Sequence, residues 1–216
     1  LDSAYSVNYF SIVNLVKNHN IEDAVKLLNK SFFIFQKKYK TELLEKMFYS
    51  KYNILKKLEF LDNQKGRILV ETQRDNLIPA IYLYEKLTKK TDEFYIMFLA
   101  SGINNNVRNL SFNEAYENEY SLFESSLEVL NKLENINNLK HFTNIDLQWF
   151  DIINEYKRSS NIEYVVTKFN LNIGDFIKVA KEVSELSKKL YTLYNDEEFY
   201  KIHKMFDNKL IQKTMS

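Results

Sequence analysis

The 216-residue sequence contains no cysteine, only one proline and only three glycines. Without cysteine there can be no disulfide, no thiol catalysis and no thiolate metal site. The same absence fits a reducing compartment, so we expect a cytoplasmic protein. Because sheets and their turns use glycine and proline, the scarcity of both residues predicts a mainly helical fold.

Long apolar runs and a dominant charge are also missing. No stretch approaches the roughly 20 apolar residues of a membrane span, so we expect no membrane-spanning segment. The formal net charge is +1 with both signs mixed along the chain, so any binding of nucleic acid must come from a local patch. The chain starts at Leu1 without an initiator Met or a signal-peptide pattern, and we expect a piece of a longer protein.

Motifs for catalysis and metal binding are missing as well. The sequence has neither a DExH box nor a Gly-x-x-x-x-Gly-Lys-(Ser/Thr) loop that could cradle a nucleotide phosphate. His19, His141 and His203 are far apart in sequence, and we expect surface or core positions for them. Carboxylate pairs such as Glu197 and Glu198 are typical of solvated helix surface. We therefore predict no catalytic residue, no metal ligand and no cofactor in this chain.

Residues 160–190 predict a helix, a short turn and a long helix. Ser160 and Glu163 have the capping-box spacing, which places the first helix start near Asn161, and Asn172 can cap the second helix. Apolar residues then follow one side of the second helix, which needs a partner surface. They are Phe176, Val179, Ala180, Val183, Leu186 and Leu190.

The other side of this long helix is polar and partly basic. Its candidate binding residues are Lys178, Lys181, Glu185, Lys188 and Lys189. The lysines could pair with the phosphates of a nucleic acid. The alternative is a solvated face held together by Lys–Glu pairs. Trp149, shortly before this region, is expected to anchor a core rather than to stack on a base.

The first third of the chain contains shorter helices and one change of pattern. Asn20 can cap a helix that turns Ala24, Val25 and Leu28 inward, and the aromatic residues 31–36 are expected to pack in a core. Residues 62–72 combine a polar turn, Gly66 and a short aliphatic run, which predicts a small β hairpin. The predicted fold is thus a winged-helix-like module over residues 1–72, followed by a helical bundle over residues 73–216, in which Pro79 lies early in a helix.

Several segments match one known family in the same order along the chain. The first matches lie in a Ser-x-Phe-x-x-x-Tyr-x-x-x-x-Asn-Leu-(Leu/Val) segment and a Ser-Phe-x-x-Phe-Gln run. The later matches lie in a Leu-x-x-Leu-x-(Tyr/Phe)-Leu helix, a Gly-Arg wing and a Gly-Asp-Phe-(Ile/Val)-(Arg/Lys) signature. The matching residues are Ser3, Tyr5, Tyr9, Asn14, Leu15, Val16, residues 31–36, Leu55, Leu58, Phe60, Leu61, Gly66, Arg67 and residues 174–178. The chain thereby resembles the region after the motor domains in DExH-box RNA helicases of the superkiller and exosome-cofactor group, a winged helix plus a DSHCT-type helical domain.

The sequence also departs from that pattern. The large inserted arch of the family is absent. Ile81 stands where an acidic residue is usual, Glu182 stands where a basic residue is usual, and residues 208–216 replace the usual arginine-containing tail.

The resemblance implies a role in guiding nucleic acid. In those helicases the helix that begins at the Gly-Asp-Phe signature lines the channel beneath the motor domains, which implies that Lys178, Lys181, Glu185, Lys188 and Lys189 bind the strand. The implied partners are single-stranded RNA, with DNA left open, and the motor domains of the parent chain, which would bind ATP and Mg²⁺. The alternative is a helical scaffold that holds a partner protein. A small helical enzyme, the third possibility, lacks a supporting constellation of residues.

Overall fold

The computed structural model describes residues 7–33, 39–103, 116–139 and 147–207. Within these ranges the chain forms eleven α-helices and a short 3-10 helix at Asp75–Leu77, and it contains no β-strand. The mainly helical fold is therefore confirmed. The helices are α1 Tyr9–Asn18, α2 Ile21–Phe33, α3 Tyr39–Lys57, α4 Gln64–Thr72, α5 Ile78–Lys86, α6 Asp92–Ser101, α7 Glu117–Ile136, α8 Phe150–Ser159, α9 Ile162–Lys168, α10 Ile173–Tyr194 and α11 Glu197–Phe206.

The helices divide into two compact units. Unit 1 comprises Leu1–Tyr82 and Ser125–Asn144, and unit 2 comprises Leu83–Glu124 and Ile145–Ser216. The functional division of the chain at residue 72 stays a prediction.

In unit 1, α1 packs against α2, α3 and α4. The side of α1 that faces these helices carries the buried residues Tyr9, Ile12 and Val13. Asn20 caps α2 as predicted, since its side-chain oxygen accepts a hydrogen bond from the Asp23 N–H at 2.9 Å. The three residues expected to turn inward from α2 are buried: Ala24, Val25 and Leu28.

The predicted hairpin at residues 62–72 is wrong, because this stretch forms helix α4. Asn63 starts the helix by accepting the Gly66 N–H at 3.1 Å, and Gln73 ends it in the left-handed conformation with φ of 53°. Ile68 and Leu69 are fully buried on one side of the helix, as an amphipathic helix requires. The winged-helix-like module therefore lacks its hairpin in the described residues.

Gly66 lies in the first turn of α4, where the backbone of the preceding loop comes unusually close. A Cβ atom at this position would be 2.1 Å from the carbonyl oxygen of Phe60 and 3.1 Å from a methyl group of Val13. Phe60 and Val13 are both buried, so neither can move aside easily. Only glycine lets the loop fold back onto α4 in this way.

In unit 2, α10 is the central helix. It packs along α11, which follows after a two-residue turn at Asn195 and Asp196, and it also contacts α6 and α9. The whole predicted apolar stripe of α10, from Phe176 to Leu190, is buried, which confirms that this side faces neighbouring helices. Trp149 is also buried, with 2% of its surface exposed, as expected for a core anchor.

The predicted helix–turn–helix forms at α9 and α10, with one correction at its start. Ser160 does not cap α9; it ends α8 in the left-handed conformation, with φ of 51°. Asn161 is the cap instead, and its side-chain oxygen accepts the Tyr164 N–H at 2.9 Å. Asn172 caps α10 as predicted, through the Gly174 N–H at 2.7 Å.

Other predictions from the sequence have mixed outcomes. Pro79 is the second residue of α5, as expected. The helix expected to begin after Asn20 continues through Phe33. Tyr5, the side chains of residues 31–36 and the altered tail at residues 208–216 lie outside the described part of the chain.

We predict that Gly66→Ala lowers the stability of the protein. Alanine normally favours a helix by about 1 kcal/mol over glycine. Here, however, its methyl carbon would lie 2.1 Å from the Phe60 carbonyl oxygen, which is a steric clash. The clash should outweigh the helix gain and cost about 1–3 kcal/mol, the usual effect of forcing an extra carbon into a packed site. Urea unfolding followed by far-UV circular dichroism measures the change.

Gly174→Ala is the matched control, because its Cβ would meet only the side-chain oxygen of Asn172, at 3.0 Å. That variant should keep a midpoint close to that of the parent chain. A Gly66→Ala variant as stable as the parent would contradict the close approach seen in the structure.

Candidate functional site

The predicted binding residues lie along one edge of α10. At about 100° per residue, Lys178, Lys181, Glu185, Lys188 and Lys189 fall within an arc of roughly 100° on a helical projection. The centre of this arc is opposite the buried stripe. The four lysines of this set are all exposed, and so is Glu185. We call this set of five residues the lysine edge.

Carboxylates accompany the first two lysines of the lysine edge. The Lys178 ammonium lies 3.9 Å from the Asp175 carboxylate, and the Lys181 ammonium lies 3.9 Å from that of Glu185. All four side chains are more than half exposed, at 60–74%. Ion pairs in such positions contribute about 0–1 kcal/mol. A phosphate group could therefore replace either carboxylate at little cost.

The remaining part of the lysine edge lies toward the C-terminal end of α10. Lys188 and Lys189 are both exposed there, and Glu182 beside the edge is partly exposed. The Lys188 carbonyl accepts a hydrogen bond from the Thr192 hydroxyl at 3.1 Å. The edge thus fits both interpretations of the sequence, a phosphate-binding surface and a solvated face with Lys–Glu pairs.

A serine and a histidine meet on the other side of α10. The Nδ1 atom of His203 lies 3.0 Å from the Ser184 hydroxyl and 2.9 Å from the Ser184 carbonyl oxygen. A carbonyl oxygen can only accept a hydrogen bond, so the Nδ1 atom must carry a proton. It therefore cannot act as a base toward the Ser184 hydroxyl, and this contact ties α11 to α10 rather than activating a nucleophile.

Unit 1 contains a buried polar cluster around the start of α1. Asp75, on the short 3-10 helix, accepts the backbone N–H groups of Tyr9 at 2.8 Å and of Phe10 at 3.1 Å. The Tyr9 hydroxyl donates to the Glu134 carboxylate on α7 at 2.8 Å. Asp75 thereby supplies the cap that Asn8 does not supply, since the Asn8 side chain makes no capping bond.

Lys51 on α3 completes this cluster. Its ammonium donates to the Val7 carbonyl at 2.6 Å and lies 4.7 Å from the centre of the Tyr9 ring. Burial lowers the pKa of Lys51 and raises the pKa of Asp75, because it disfavours the charged form of each group. Tyr9 and Glu134 are only 2% and 1% exposed, so a substrate cannot reach them. We interpret the cluster as the fastening of α1 to unit 1.

The described residues form neither a metal site nor a membrane span. No group of three or more His, Cys, Asp or Glu side chains among them is arranged to hold a metal ion. None of the helices in the described ranges is long and apolar enough to cross a membrane.

Comparison with protein families, curated proteins and solved structures finds no match to this chain. The likeness to the helicase region rests on the residues and motifs quoted from the sequence, and it stays a prediction. The lysine edge, as a nucleic-acid-binding surface, also stays a prediction.

Sequence reasoning missed the buried cluster of unit 1. Tyr9 is 125 positions from Glu134 and 66 positions from Asp75, so no local spacing connects them. Lys51 and Glu134 look like ordinary surface charges of long helices in the sequence. The sequence even points away from the cluster, since Asn8 is a residue type that favours the N-cap, and only the structure shows that its side chain makes no capping bond.

We predict that Lys51→Ala destabilises the protein by about 2 kcal/mol, the usual cost when a hydrogen bond from a charged group is removed, here a partly buried one. The variant removes the hydrogen bond to the Val7 carbonyl and the positive charge near Asp75 and Glu134. Lys56→Ala, an exposed lysine on the same helix, should change stability by no more than about 0.5 kcal/mol. Urea unfolding of both variants tests this, and equal stabilities would show that Lys51 does not fasten α1.

Proposed function

We propose that this chain is the accessory C-terminal part of an ATP-dependent RNA helicase of the superkiller type, and that it guides single-stranded RNA. In this proposal the motor domains of the parent chain bind ATP and Mg²⁺ and supply the hydrolysis. This part packs against the motor, borders the RNA channel and holds the strand between power strokes. The five positions of the lysine edge contact the strand.

The observation that carries the proposal is the grouping of four exposed lysines within one arc of α10, opposite its buried stripe. Lys178 and Lys189 are eleven residues apart, which corresponds to about 16 Å along the helix. Four exposed lysines over that length can contact successive phosphates of an extended strand. The ordered family matches in the sequence, from Ser3 to the signature at residues 174–178, support the same function independently of this geometry.

The carboxylates on and beside the lysine edge limit how tightly it can bind. Asp175, Glu182 and Glu185 lie near the four lysines on the same helix. Part of the lysine charge is therefore balanced, and the contacts to a strand would be weak and sensitive to salt. Weak contacts suit a strand that has to move past the helix.

An interaction scaffold is the second candidate, and two exposed apolar residues of unit 1 favour it. Leu43 on α3 is 57% exposed and Ile136 at the end of α7 is 73% exposed. A partner protein would bind where such side chains form contiguous apolar surface, since single exposed apolar residues are common on proteins. A scaffold would show no salt-dependent binding of RNA, so the experiment below separates the two functions.

We predict that Lys178→Glu combined with Lys181→Glu weakens binding of a single-stranded oligouridine. Removing one lysine–phosphate pair on a single strand should lower the slope of log affinity against log salt by about 0.7, so the double variant should lower it by about 1.4. Fluorescence anisotropy of the labelled oligouridine over a series of salt concentrations measures both affinity and slope. The chain alone should not hydrolyse ATP.

Two other exposed lysines provide the matched controls, because each pairs with a carboxylate one helical turn away, as Lys178 and Lys181 do. They are Lys26, paired with Asp23, and Lys201, paired with Glu198. Lys26→Glu combined with Lys201→Glu makes the same change in net charge away from the lysine edge. If this control weakens binding as much as the test variant does, the attraction is diffuse and the lysine edge is not the binding surface.

A further inference from the structure

The outer side of α9 presents an exposed aromatic ring. Tyr164 is 47% exposed, although the same helix buries Ile162 and Val165. Thr167 and Lys168 lie three and four residues after Tyr164, so they share its side of the helix. These side chains, with Asn161 and Glu163, line an open groove of about 490 Å³.

Lys168 is held in place beside this ring. Its ammonium forms an ion pair with the Glu155 carboxylate at 2.6 Å and lies 5.6 Å from the centre of the Tyr164 ring. The hydrogen bond to Glu155 raises the pKa of Lys168, so the side chain stays protonated near neutral pH. The ring therefore has a fixed positive charge near it, while nearly half of the residue remains open to solvent.

We propose that Tyr164 is a stacking platform for a base of single-stranded RNA. This inference rests on the proposed function and adds a base contact on α9 to the phosphate contacts of the lysine edge on α10. The two helices pack against each other and are joined by a turn of four residues, Phe169 to Asn172. Tyr164 and the lysine edge thus lie on consecutive, packed helices of unit 2.

The chemistry of the groove favours a base over a phosphate. Glu163 is exposed in the groove, and the Lys168–Glu155 pair at 2.6 Å, with Glu155 only 15% exposed, is much closer and better buried than the 3.9 Å pairs of the lysine edge. A phosphate would therefore displace Glu155 less readily than the carboxylates beside Lys178 and Lys181. A base is uncharged, and any of the four bases can stack its flat surface on an aromatic ring. The phosphates on either side of that base would then be left to the lysine edge.

The experiment compares two probes on the full 216-residue chain: a labelled oligouridine and an abasic ribose-phosphate oligomer of the same length. Tyr164→Ala should weaken binding of the oligouridine about tenfold, the usual effect of removing one stacked base. It should leave binding of the abasic oligomer and the salt slope unchanged, because every phosphate contact is retained. Tyr164→Phe should bind the oligouridine like the parent chain, whereas Tyr164→Leu, which keeps apolar bulk without a ring, should behave like Tyr164→Ala.

The matched control is Tyr49→Ala, since Tyr49 on α3 is similarly exposed at 43% and should not affect either probe. Equal weakening of both probes by Tyr164→Ala, or full binding by Tyr164→Leu, would overturn the stacking role and leave the function of the lysine edge intact. If the parent chain does not bind the oligouridine at all, the proposed function fails together with the stacking role. That result appears before any variant is made, so the two failures are distinguishable.

Discussion

Burial of one side of α10 is the constraint that organises unit 2. Phe176, Val183 and Leu190 are at most 1% exposed, and burying each such side chain contributes about 1.5–3 kcal/mol. A helix of 22 residues has only one rotation about its axis that buries this stripe against α11 and α6. The lysine edge is opposite that stripe and must therefore face outward. Its exposure follows from packing, so charge and contacts have to decide whether it binds RNA.

In unit 1 the comparable constraint is a cluster of polar and charged side chains at the start of α1. Asp75 accepts the two N–H groups at the start of α1, which otherwise would have no partner, and Lys51 offsets part of the negative charge that Asp75 and Glu134 bring to the same place. Removing charges from water is costly unless hydrogen bonds compensate. Here every group of the cluster has a specific hydrogen bond. The cluster therefore fixes where α1 begins more than it adds to net stability.

Local signals predicted most of the helices but not their exact starts. The apolar period of α10 and the caps at Asn20 and Asn172 depend on residues two to four apart, so they were visible in the sequence. At α9 two neighbouring residues could both cap, and spacing alone favoured Ser160 over Asn161. The structure separates them because Ser160 takes the left-handed conformation that ends α8, and that role depends on a different helix.

The prediction of a hairpin at residues 62–72 failed for a more general reason. The run from Ile68 to Val70 and the glycine before it are typical of a strand after a turn, while a glycine in a helix costs about 1 kcal/mol. Glycine is required here because the Phe60 carbonyl comes so close to α4 that no Cβ atom fits, and that close approach exists only in the folded chain. The same reasoning applies to the buried cluster of unit 1, whose members come from distant parts of the chain.

The arrangement of charge on α10 bears on how a strand could be held. Lysines with carboxylates one turn away, as at Lys178 and Lys181, give up little when a phosphate replaces the carboxylate and regain the pair when the phosphate leaves. Such an exchange keeps the free-energy difference between the bound and unbound states of each lysine small. A purely basic helix would bind more tightly but would also hold the strand in one position. Under the proposed function, the carboxylates near the lysines allow the strand to advance, and a stacked base on Tyr164 would supply the hold that these weak phosphate contacts lack.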